Sequence, residues 1–191
     1  MPNLLRKPEL QVAAVLAIAV AAGLGTYFAT RNGGSHTTTP TVPITGPVGP
    51  TGRRVVPITQ SGLETLVKEL KRSIYWAGPQ PDTTYELTQL PHGIIYFRYL
   101  PPGTAVGAPI QVLTVGTYAA PGAFSAAKRR AGQSGIVRVP ARDGGIAFYS
   151  TDAPTSVYVA FPGSDYQIEV SDPSLERARQ LVASGKIVPV G

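Results

Sequence analysis

Near its start this chain runs through a long block of almost wholly apolar residues, and from residue 57 on apolar and polar positions alternate at helix and strand spacings; that contrast divides it. From Leu10 to Thr30, 21 residues pass without one charge, most of them Ala, Val, Leu or Ile. At about 1.5 Å per residue a helix of this length covers roughly 31 Å, which matches the hydrocarbon layer of a bilayer. The run predicts a transmembrane signal-anchor helix over residues 10–30, in contact with the lipid bilayer. Tyr27 and Phe28 near its end suit an interface. Arg6 and Lys7 precede the run and only Arg31 follows closely. The positive-inside tendency then makes residues 1–9 a short cytoplasmic tail and puts the C-terminal part outside the cytoplasm. A cleaved signal peptide is the alternative, with small residues at Ala21, Ala22 and Ala29 for cleavage and secretion as the outcome. Against it, the apolar run exceeds the about 7–15 residues usual for that role.

A second uncharged segment follows. Gly33 to Gly52 holds Pro40, Pro43, Pro47 and Pro50, five glycines and six threonines. Such a segment buries no core, and its prolines favour extended stretches, so residues 31–56 read as a semi-stiff linker. Its threonines are candidates for O-linked sugars.

From residue 57 to 191 the pattern becomes that of a folded domain. Leu63, Leu66, Val67, Leu70 and Ile74 recur at helical spacing behind Ser61-Gly62-Leu63-Glu64, a capping-box pattern, predicting a helix over Gly62–Tyr75. Thr84–Leu90 and Gly93–Tyr99 flank Pro91-His92 and read as a hairpin. Apolar residues on both faces of the second strand predict a central position. Ile110–Tyr118 is a third strand. Pro121–Ala131 reads as a helix stopped by Gly132. Ile136–Ala141 and Gly145–Ser150 surround Asp143-Gly144, a tight-turn signal. Ser156–Phe161 and Tyr166–Val170 surround Pro162-Gly163-Ser164-Asp165. In the last strand Gln167 and Glu169 alternate with Tyr166, Ile168 and Val170, which predicts one wet face. Asp172-Pro173 opens a final helix that Gly185 ends. The expected fold class is α+β: a single antiparallel sheet of about six or seven strands flanked by helices. In layout alone, it resembles sandwich domains of the photosystem-II PsbP type.

Composition narrows the chemistry. The net charge is +6, yet charged residues make up only 15% of the chain, so the balance reflects few acids. The one tight basic cluster, Lys128-Arg129-Arg130, closes a predicted helix, where cations offset the helix dipole. It is also a candidate contact for an anionic surface. No basic stripe or arm suggests nucleic acid as a partner. There is no cysteine, which removes disulfides, thiolate metal sites and cysteine nucleophiles. His92 is the only histidine beyond the linker and falls in a turn. Gly132-Gln133-Ser134-Gly135 misses the nucleophile-elbow pattern by one position. No phosphate-binding glycine loop is present, so no cofactor and no metal are expected. Trp76, Tyr96, Arg98 and Tyr99 come from neighbouring elements and are the candidate lining of a ligand groove, through stacking and charge.

The sequence therefore points to a membrane-anchored extracytoplasmic domain that binds rather than catalyses. Its expected partners are a cell-wall polymer or another envelope protein. The alternative is a sensory or regulatory domain of a membrane signalling complex, pairing through Gly23 and Gly25 in the bilayer.

Overall fold

The structure, a computed structural model, describes residues 53–191. The expected membrane span and nearly all of the expected linker lie outside the described residues. Among those described, no helix is long and apolar enough to cross a membrane.

Ten strands and three α-helices make up the domain. In chain order they are β1 (Arg54–Ile58), α1 (Gln60–Leu70), β2 (Tyr75–Trp76), β3 (Thr84–Gln89), β4 (Ile95–Leu100) and β5 (Thr114–Ala119). Then come α2 (Ala123–Arg130), β6 (Ile136–Val139), β7 (Ile146–Ser150), β8 (Ala153–Ala160), β9 (Tyr166–Ser171), α3 (Leu175–Ala183) and β10 (Val188–Pro189). Eight strands form one sheet in the order β1-β3-β4-β5-β9-β8-β7-β6, and β10 pairs with β2 in a separate ribbon. Every pairing is antiparallel.

Strand alternation sends the apolar set to one face. Leu87, Phe97, Val115, Val170 and Val157 form one row across five strands; Ile95, Ile168, Val159, Ala147 and Val139 contribute to the next. Leu63 and Leu66 of α1, Ala178, Leu181 and Val182 of α3, and Ile74 to Ala77 complete this core. The opposite face is covered too. There α2 lies over β7, β8 and β9, burying Ala123, Ala126 and Ala127. β4 is central, as its doubly apolar pattern predicts.

The sheet is larger than the expected six or seven strands because one short strand, β1, carries a weak signal; β2 and β10, shorter still, pair apart from it. β1 takes Arg54 to Val56 from the end of the expected linker and forms a sheet edge, where Pro57 can sit without donating to a neighbour. β2 and β10 have two residues each. Tyr75, read as the end of the first helix, belongs to β2: Lys71 adopts φ 50° and ends α1 four residues earlier. Thr59, not Ser61, caps α1, its Oγ1 accepting from Gly62 N at 3.0 Å. The β6–β7 turn follows its signal, with Asp143 and Gly144 at φ 54° and 69°. The wet face expected for β9 is a correction: Gln167 and Glu169 are only 7% and 6% exposed, because α2 covers that side.

Phe97 tests this core. It is fully buried, with ring centroids of Tyr99, Tyr85 and Trp76 at 5.1, 5.3 and 6.1 Å. Phe97→Ala is expected to lower unfolding free energy by about 3–5 kcal/mol in a urea titration. A loss below about 1 kcal/mol would show that the aromatic layer is loosely packed.

Candidate functional site

Polar chemistry collects on the face of the sheet opposite the main core, around two buried carboxylates. The first is Glu86 of β3, which is fully buried. Arg98 lies opposite it on β4 and donates from Nη1 to Glu86 Oε1 at 2.7 Å. Arg98 Nη2 donates to the carbonyls of Ala108 and Ile110, each at 2.9 Å, while Gly107 N donates to Glu86 Oε2 at 2.6 Å. One ion pair thus anchors the long segment between β4 and β5. The same segment leaves Val106 and Ile110 39% and 44% exposed.

The second carboxylate is Glu169 of β9. Tyr118 donates its hydroxyl proton to Glu169 Oε2, and Tyr158 donates to Oε1 at 3.3 Å. Tyr96 lies 2.7 Å from the Tyr118 oxygen. Tyr118 has one proton, already directed at Glu169, so Tyr96 must be the donor to Tyr118. All three phenolic protons run inward to a single carboxylate. The half-buried end of the chain, Tyr96, therefore offers lone pairs outward and no proton. Gly116 makes room for the crossing of rings: a Cβ there would lie 2.9 Å from the Tyr96 ring and 3.0 Å from Tyr118.

Burial pushes the hydroxyls of Tyr96, Tyr118 and Tyr158 above the ordinary phenol value, and the Glu169 carboxylate adds to the shift of each. These groups stay protonated at neutral pH, which suits a structural relay and not a base or a nucleophile. Tyr99 is raised as well, chiefly by burial.

The four candidate groove residues do not come together. Trp76 and Tyr99 belong to the main core: Trp76 meets Phe97 edge-on, and the Tyr99 hydroxyl accepts from Ala77 N at 2.7 Å and donates to Gly78 O. Tyr96 and Arg98 lie on the opposite face of the sheet. Neighbours along β4 alternate sides, and Trp76 follows Tyr99. Lys128 and Arg129 are exposed at the end of α2, and Arg130, half-buried, donates to Gln133 Oε1. His92 is exposed in a 3-10 turn with φ 62°. Among the described residues no three His, Cys, Asp or Glu side chains gather as a metal site. A shallow cleft of about 220 Å³ lies at the end of α3, lined by Arg177, Gln180, Leu181, Ser184 and Lys186.

The carboxylate networks were not legible as a site, since Glu86 and Glu169 resemble ordinary outward residues of alternating strands. Gly116 was the available signal: a glycine inside a strand marks a close approach. Comparison with known proteins finds no matching family model, no matching curated protein and no matching solved structure. The layout resemblance noted above therefore gains no support from a solved structure.

Two outcomes follow from this geometry. A tyrosine whose folded pKa is raised stabilises the fold below the unfolded value of 10.0 and loses that contribution as pH rises through and beyond it. Ultraviolet titration is expected to leave these phenols un-ionised above pH 10 until the domain unfolds; full, reversible ionisation of every tyrosine without unfolding would contradict the burial. Separately, Glu86→Gln strips the buried Arg98 of its counter-charge and is expected to cost about 3–5 kcal/mol. Limited proteolysis then cuts first between Pro101 and Val112, and an unchanged digestion pattern would show that other contacts hold the segment.

Proposed function

We propose that this chain is a membrane-anchored, extracytoplasmic binding module with a non-catalytic role at the cell envelope. The observation that carries this reading is the uncharged run Leu10–Thr30 followed by an uncharged Pro/Gly/Thr segment and then a folded domain. A hydrocarbon-length run fixes the chain to the bilayer. A proline-rich spacer of about 20 residues reaches at most roughly 66–72 Å and holds the domain away from the surface.

The domain's own chemistry supports binding over catalysis. Its buried carboxylates are engaged by internal donors, and its shifted tyrosines are locked in the protonated form. Lys128 and Arg129 at the end of α2, by contrast, are exposed. In this reading Lys128, Arg129 and Arg130 meet an anionic envelope component. In this reading the tether enters the domain at β1, an edge strand of the sheet.

Cell fractionation tests the anchor. The full-length protein is expected in the high-speed pellet, resistant to alkaline carbonate and released by detergent, with the domain digested when protease is added to intact cells. Full-length protein in the soluble fraction, or a domain protected in intact cells, would overturn the reading. A shortened mature chain in the medium would replace the anchor by a cleaved signal.

A further inference from the structure

The binding face can be specified more closely, and this inference rests on the envelope reading above. Lys128 and Arg129 are exposed in the last turn of α2. Arg138 of β6 is exposed and pairs with Phe148, whose neighbour Tyr158 reaches Glu169, so Arg138 stands on the side of the sheet that α2 covers. The chain from α2 into β6 is five residues long, Ala131 to Gly135, which keeps the two sets of cations at one corner. None of these cations takes part in an ion pair among the described residues, whereas Arg98, Arg177 and Arg179 do. The acids of this flank are at turns: Asp143 between β6 and β7, Asp152 between β7 and β8, and Asp165 at the opposite end of α2, bonded to Gly122 N. The helix dipole accounts for cations closing α2. It gives no reason for Arg138.

Two features decide what such a corner takes. Successive helical residues point about 100° apart, so the cations fan out and do not converge on one small anion. A ligand with many repeated charges can meet them. The corner also lies at the β6 edge, and the tether joins the β1 edge of the same eight-stranded sheet. Seven strand spacings of about 4.8 Å separate the edges by roughly 34 Å. The cations thus occupy the sheet edge remote from β1. We propose that Lys128, Arg129 and Arg138, with Arg130 beside them, form a docking corner for a linear anionic polymer lying beyond the membrane surface.

The test uses full-length protein in nanodiscs of neutral phosphatidylcholine, titrated with long-chain polyphosphate at low salt. Binding that weakens steeply with added salt is expected. The triple variant Lys128→Ala, Arg129→Ala, Arg138→Ala should bind roughly tenfold more weakly, the loss fitting three exposed charge contacts. Lys68→Ala, Lys71→Ala, Lys186→Ala removes the same charge elsewhere and should bind like the native chain. Equal loss in both variants, or no binding by the native chain, would overturn the proposal and leave these cations to the helix end and sheet edge. Patch-dependent capture of added phosphatidylglycerol vesicles at least as tight as polyphosphate binding would overturn the choice of polymer. If the chain proves soluble without nanodiscs, the anchor reading fails on its own and the same titration proceeds in buffer.

Discussion

A sheet covered on both faces leaves no water for a carboxylate, and this constraint organises the domain. The main core satisfies it by being apolar. The second layer does not: it holds Glu86 and Glu169, and burying either charge without donors would cost several kcal/mol. Glu86 draws in Arg98 and a backbone N–H from the β4–β5 segment. Glu169 draws in two hydroxyls directly and a third behind them. The first network ties the β4–β5 segment, which has no helix or strand of its own, to the sheet, and the second ties β4, β5, β8 and β9 to one another.

The same constraint explains what was legible in the sequence. Hairpins joined by strong turn residues were visible, since Asp143-Gly144 specifies its own backbone geometry. The three helices were visible from their apolar spacing. Short elements were not. β2 and β10 have no periodicity to read, and their pairing depends on contacts far apart in the chain. β1 begins among residues whose composition resembles the linker before it. Glu169 alternates with Ile168 and Val170 as an exposed residue would, and only the placement of α2 above it reveals that it is inside. The groove built from Trp76, Tyr96, Arg98 and Tyr99 assumed that neighbouring elements share a surface, whereas strand alternation puts the sheet between them.

These features describe a domain whose buried polar groups are dedicated to holding its shape. The tyrosine relay gives no proton to the outside, so it stiffens the sheet without opening chemistry to a substrate. Stiffness keeps the two edges of the sheet at a fixed separation.

The small ribbon of β2 and β10 has a kinetic consequence. It joins Trp76 to Val188, with Val190 N also bonded to Ile74 O, across nearly the whole length of the domain. The main sheet likewise joins β5 to β9 across intervening elements. Chains whose contacts are this distant in sequence collapse to the native state slowly, because loop-closure entropy opposes the contacts that would reward it. Slow closure prolongs the time for which the apolar faces of the strands stay uncovered before the helices settle over them.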